Sequence, residues 1–248
     1  MADYNTYRSA QGVGTHGAVI DEGLRAYMNK VYGLMAVGMG VTAVAAYGVS
    51  AMAVDASGQL SQFGVAIYTS PLKWVIMFAP LLMVFAFGAA MNRLSVQGAT
   101  MMFYAFAAMM GLSISSIFLV YTAFSIVQTF LVTAIAFAGL SLWGYTTKKD
   151  ISGWGSFLIM GLIGLIVASI VNIFLQSSAM QFAISVIGVL IFAGLTAYDT
   201  QNIKNTYLRM AGSDRDFIGK AAIMGALQLY LDFLNLFMFL LQFMGNRE

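Results

Sequence analysis

The chain has 248 residues, 60% of them hydrophobic and 9% charged, with mean hydropathy +0.82 and a formal net charge of +2. Soluble proteins carry about 25% charged residues, so water cannot solvate this surface and the chain reads as an integral membrane protein with no nucleic-acid partner. The absence of cysteine excludes disulfides, thiolate catalysis and iron–sulfur clusters, and the single histidine, His16, lies outside every apolar run, which excludes a histidine-based intramembrane zinc or Ser–His site.

Residues 1–20 form a polar Gly/Ser/Thr-rich segment, expected to be a flexible tail ahead of one membrane domain, 21–248. No short apolar stretch with a cleavage site precedes the first span, which is therefore expected to insert as an uncleaved anchor. DEGLRAYMNK reads as a short amphipathic helix at the membrane surface. The apolar runs are about 20 residues long, which suits helices and not the roughly 10-residue alternating strands of a barrel. Seven spans are predicted, at 31–54, 72–91, 99–121, 124–145, 155–175, 180–203 and 219–244, giving an all-α polytopic fold. Pro71 stands where a first helical turn tolerates it. Pro80 lies inside the second span, removes a backbone hydrogen bond and makes that span the candidate mobile element.

With the N-terminus inside, the inner segments hold ten basic residues, from Arg8, Arg25, Lys30 and Arg93 to Arg215 and Lys220, and the outer ones only Lys73 and Arg247. This asymmetry favours a cytoplasmic N-terminus and seven spans. Six spans with a re-entrant C-terminal segment is the alternative.

Three spans carry polar stripes. Gly225, Gln228, Asp232 and Asn235 share one face of the last, and Thr196, Asp199 and Asn202 one face of the sixth. Ser169, Asn172 and Gln176 are spaced likewise on the fifth. Lipid penalises all of these groups, so the stripes are expected to face one another or a wet cavity. For Asn172, Gln176 and Gln228 plain interhelical hydrogen bonding is the default, at roughly 0.6 kcal/mol per contact. The aspartates are different. An ionised carboxylate at the bilayer centre costs roughly 2.5–3.5 kcal/mol on insertion scales, so an intramembrane aspartate marks a function. If Asp199 and Asp232 meet, they share a proton and titrate as a pair, which makes a pH sensor without histidine. Equally, the pair attracts a cation. Oxygen ligands suit Ca²⁺, but two carboxylates fall short of its usual six to eight oxygens, so binding is weak and protons compete.

Arg93 follows the second span. It reads either as an inner anchor snorkelling to headgroups or as a latch that pairs with Asp199 and plugs the inner mouth. The eighteen methionines form no facing ladder and read as packing. Trp74, Trp143 and Trp154 lie near span ends as interfacial anchors. Ala36 and Gly40 form a small-xxx-small pair suited to close helix packing.

Taken together, LTAYDTQNIK, LYLDFLNLF, GYTTKKDIS and KVYGLMAVGMGVTAVAAY resemble the Bax inhibitor-1 family, in its bacterial YccA/YetJ-like branch, over about residues 22–245. The resemblance implies a central seventh helix wrapped by six others and a pH-sensitive Ca²⁺ leak. It implies a sensor dyad matching Asp199 and Asp232, and a latch arginine on the second helix for which Arg93 is the best match. It also implies, for related members, restraint of a membrane AAA protease. The expected setting is a bacterial inner membrane.

The expectation from the sequence is therefore a Ca²⁺-permeable, pH-gated leak protein, not an enzyme, that requires no cofactor. Its expected partners are the lipid bilayer, calcium ions and protons. Two alternatives compete with it. A non-conducting regulator of a membrane partner, such as a protease, would work through loops or tail. An intramembrane aspartyl protease would use Tyr198–Asp199 and Asp232, but the second aspartate lies in LYLD and not in a Gly-x-Gly-Asp motif, and no Pro-Ala-Leu triplet follows. A proton-coupled transporter would need an inverted repeat, and none is evident.

Overall fold

The computed structural model describes residues 4–91, 93–210 and 212–247. Its helices are α1 (Tyr4–Ala53), α2 (Gln62–Tyr68), α3 (Leu72–Ala90), α4 (Val96–Ile114), α5 (Ile117–Val120), α6 (Ala123–Thr146), α7 (Trp154–Leu175), α8 (Ser178–Met210) and α9 (Arg215–Met244). Seven stretches among them are long and apolar enough to cross a membrane, and the fold is all-α and polytopic. The surface helix expected at DEGLRAYMNK is not separate: it is continuous with the first span in α1, which begins at Tyr4 within the expected tail. No proline interrupts this stretch, so nothing ends the helix at the membrane surface. The third span is divided: α4 ends at Ile114 and α5 resumes at Ile117, with the Ser115 hydroxyl turned back to Leu112 O at 2.7 Å. Pro71 caps α3, and α3 runs on through Pro80. The sixth span continues through QNIKNTYLRM to Met210, so the connection to α9 is short and the two helices run antiparallel.

α9 lies at the centre. In its apolar window 61% of residues are buried, against 11–39% in the other spans. It packs on α1, α4, α6 and α8, while α7 lies outside on α8 and α3 packs on α2 and α4. Six helices thus enclose the seventh in two tiers, four in contact and two behind them. The C-terminus returns to the opposite end from α1's start. Asn246 N–H donates to Ser125 Oγ at 2.8 Å, Thr122 N–H to Asn246 O at 3.2 Å, and Arg247 lies over the Tyr121 ring. α9 therefore runs the full length of the bundle, which favours seven spans over the re-entrant alternative.

The α1–α4–α9 junction shows how the bundle satisfies polar groups without water. Tyr230 is fully buried, with Phe103 and Phe106 edge-on to its ring. The Thr42 hydroxyl lies 3.0 Å from Gly38 O and 2.9 Å from Ala107 O, and 2.7 Å from the Tyr230 hydroxyl. Thr42 has one proton to give to a carbonyl, so Tyr230 donates to Thr42. The close approach rests on Gly38 and Gly111. A Cβ on Gly38 would lie 2.8 Å from Phe103, and one on Gly111 2.8 Å from the Ala45 Cβ. The expected Ala36/Gly40 pair plays no such part: both are exposed, and a Cβ on Gly40 would meet nothing. Spacing alone could not say which stripe of small residues faces lipid.

Between α1 and α2, Asp55 Oδ1 accepts from Ser57 Oγ at 2.6 Å, Ser57 N at 2.8 Å and Gln59 N at 3.0 Å. The bond from Ser57's side chain, and then those from the backbone of Gln59 and Ser57, hold its carboxyl below the ordinary carboxylate value. A depressed folded value means the turn is favoured while Asp55 is ionised. That support is complete above the ordinary pKa of about 4 and is lost as pH falls through the lowered value.

Two outcomes are expected. Gly111→Val should cost about 1–3 kcal/mol of stability through overpacking, and lipid-facing Gly40→Val less than about 0.5 kcal/mol, measured by thermal unfolding in detergent. Asp55→Ala should speed amide exchange at residues 57–59 at neutral pH without moving the unfolding midpoint of the bundle.

Candidate functional site

The two aspartates meet on the α8–α9 seam. Asp232 is 4% exposed and Asp199 is half-buried. Their carboxyls are within side-chain hydrogen-bond reach of each other, and among the described residues neither has another charged group acting on it. Asp232 Oδ2 is fully enclosed, and with both carboxyls ionised it has no donor. Such an oxygen costs its full desolvation free energy until a donor or a cation reaches it. A proton held between the two carboxyls, or a positive ion beside them, supplies what the protein's own groups do not. No cluster of three or more His, Cys, Asp or Glu suited to a metal ion occurs among the described residues. What the pair offers a cation is thus two carboxyls and neutral oxygens.

A cavity of about 550 Å³ reaches this seam from the side of the α8–α9 connection. Asn202, Thr206, Lys220, Gly225 and Gln228 line it, with Met91 at the end of α3. Asn202 is one turn from Asp199, and Gln228 one turn from Asp232, so the cavity runs along the helix faces that carry the carboxyls. Gln228 is exposed to it. The expected latch is not made in this conformation: Arg93 is exposed in the turn after α3, and among the described residues no ion pair joins it to Asp199. The reason is architectural: among the described residues the main packing of α3 is on α2 and α4.

Residues 24–248 match the protein family described as "Inhibitor of apoptosis-promoting Bax1". The chain belongs to the Bax inhibitor-1 family. An uncharacterized protein of Caulobacter vibrioides is 50% identical to it over 231 residues, covering 92% of each chain. The inner membrane protein YbhL of Escherichia coli is 45% identical over 228 residues, 91% of this chain and 94% of its own. An uncharacterized protein of Rickettsia prowazekii is 44% identical over 229 residues, 92% of each.

In this Bax inhibitor-1 protein the remaining stripe residues divide. Thr196 is fully buried and donates to Phe192 O at 2.8 Å, and Asn235 Nδ2 donates to Leu231 O at 2.8 Å; both satisfy their own helix beside the dyad. Asn172 lies at the far end of α7, away from the carboxyls. Its Nδ2 donates to Gln181 Oε1 at 3.0 Å, and Gln181 Nε2 donates to Gln242 Oε1 at 2.9 Å. This is the interhelical bonding that the base rate favours, joining α7, α8 and α9. Gln176 is not on Asn172's helix face, because α7 ends at Leu175 and Gln176 takes a left-handed φ of 48°.

Sequence reasoning missed several polar groups. Gln242 continues the stripe of Asp232 and Asn235 and was within reach of the same spacing argument. Tyr32 and Ser141 gave no such signal. Thr200 donates to Thr196 O at 2.7 Å, so Ser141 donates to Thr200 at 2.9 Å and Tyr32 to Ser141 at 2.7 Å. This ordered chain of hydroxyls ties α1, α6 and α8 together beside the dyad. Gln242→Leu should lower thermal stability by roughly 0.6–1.7 kcal/mol, the range of intramembrane hydrogen bonds, and leave any pH response of the protein intact; a lost pH response in this variant would move the sensor to the α7–α9 end.

Proposed function

We propose that this family member is a pH-sensitive, Ca²⁺-permeable leak of the bacterial inner membrane, with Asp199 and Asp232 as sensor and transient cation site. The observation that carries the reading is the enclosed, undonored oxygen of Asp232 beside Asp199, one helical turn from a cavity that Asn202 and Gln228 help to line. A carboxyl pair in that position changes its charge with pH and attracts a cation when ionised. With so few oxygens Ca²⁺ is held weakly, which suits passage and not storage. The inner-membrane setting is taken from the relative YbhL, and the excess of basic residues in alternate connections supports a cytoplasmic N-terminus.

Closing the inner cavity is assigned to α3. It ends at Ala90, next to Met91 in the cavity wall and three residues before Arg93, and among the described residues its main packing against a long span is on α4. An inward swing would bring Arg93 toward the carboxyls as the latch. No catalytic role or resident cofactor is assigned: Tyr198, the tyrosine of the Tyr–Asp pair, lies against Gly155 of α7.

The test is Ca²⁺ flux into dye-loaded liposomes between pH 6 and 8. Wild type is expected to show a flux that changes with pH, and Asp199→Asn and Asp232→Asn to flatten it. Flux with unchanged pH dependence in both variants sinks the sensor assignment. A wild type that conducts at no pH replaces the leak with the non-conducting alternative, a regulator of a membrane protein such as a protease.

A further inference from the structure

The face of α9 that carries Asp232 continues away from the inner cavity through Asn235, Phe239 and Gln242, at i+3, i+7 and i+10. On α8 the matching face runs from Asp199 through Thr196, Phe192, Gly188 and Ser185 to Gln181. The seam is polar at the dyad and polar again at its far end, where Gln181, Gln242 and Ser185 bond to one another. Between these two levels lies a layer that offers no hydrogen bond. Phe239 stacks on Phe192, with ring centroids 5.8 Å apart and planes at 25°. Its ring also lies flat in the space over Gly188, where a Cβ would come within 2.6 Å of ring Cγ and Cδ1 and 2.7 Å of Cδ2. The glycine is the seat of the ring. Leu236, 1% exposed, and Leu240 close the layer within a second apolar cluster separate from the main core.

We propose that Phe239, seated on Gly188 and stacked on Phe192, is the outer seal of the α8–α9 seam, separating the carboxyl pair from the polar cluster at Gln181 and Gln242. The seal rests on the ion-path reading for its purpose, but its physical content is water access. Phe239 is seven residues, about 10 Å of helix, beyond Asp232. Water crossing that level would give up its hydrogen bonds with nothing offered in return, which is how hydrophobic constrictions close a path. The aromatic pair is the centre of this layer, with Leu236 and Leu240 packed beside it, so the seating of the Phe239 ring decides how tightly the layer closes. That makes Phe239 and Gly188 the residues that set the closed state from the outer side, as the α3 end does from the inner.

The full chain contains no cysteine, so single cysteines report access without background. Asn235→Cys places a thiol between the dyad and the ring; Asn246→Cys, exposed beyond α9, marks the outer side. A charged, membrane-impermeant thiosulfonate is added to the side that modifies Asn246→Cys. With Phe239 intact, Asn235→Cys should be unmodified from that side. In Phe239→Ala its modification should be at least about tenfold faster, since a dewetted layer becomes a wet one. Gly188→Ala, which pushes the ring off its seat and keeps its apolar surface, should act in the same direction and serves if Phe239→Ala does not fold. Equal labelling with and without the ring, or no labelling in either variant, overturns the seal. Ca²⁺ flux on the same proteins separates the two ideas: faster labelling with no flux at any pH upholds the seal and rejects the leak.

Discussion

An enclosed carboxyl oxygen with no donor is the costliest group in this bundle, and the arrangement of helices follows from keeping it where it is. Asp232 stands past the middle of α9, the helix shielded best from lipid, and α8 brings Asp199 alongside it. Moving either aspartate to a lipid-facing stripe would expose a charge to hydrocarbon. Separating them would leave one enclosed acid without its counterpart. The pair is tolerable only together, inside four neighbouring helices.

Polar groups that bridge helices hold this geometry. Tyr32, Ser141 and Thr200 form one ordered chain of hydroxyls across α1, α6 and α8. The next residue, Gln201, stitches α8 to the connection between α6 and α7, accepting from Ile151 N at 2.9 Å and donating to Lys149 O at 2.8 Å. Lys204 donates to Tyr145 O at 2.7 Å near the C-terminal end of α6, where a cation also meets the negative end of the helix dipole. The LTAYDTQNIK and GYTTKKDIS segments, far apart in sequence, are thus two halves of one joint. That joint fixes the inner end of α8, and with it the level at which Asp199 meets Asp232. α3 is outside this framework, which leaves it as the element with least to lose by moving.

The seven spans and the all-α class were legible from residues alone. Hydrocarbon makes local composition decisive: a run of about 20 apolar residues has almost no other stable use, and an aspartate within one is costly enough to stand out. The sixth span runs past its expected end at 203 through QNIKNTYLRM to Met210, which shortens the connection to α9 and brings the two carboxyls level. What residue spacing could not decide was which stripe faces which neighbour. Asn172 shares the dyad's chemistry in sequence but bonds at the far end of the bundle. Gly40 has the spacing of a packing glycine and faces lipid, while Gly38 and Gly111 carry the contact. Arg93 has the charge of a latch but follows a helix that packs elsewhere. Helical periodicity states that residues share a face; the direction of that face is a property of the assembled neighbours, because lipid and a helix partner are equally apolar to a leucine, and only packing distinguishes them.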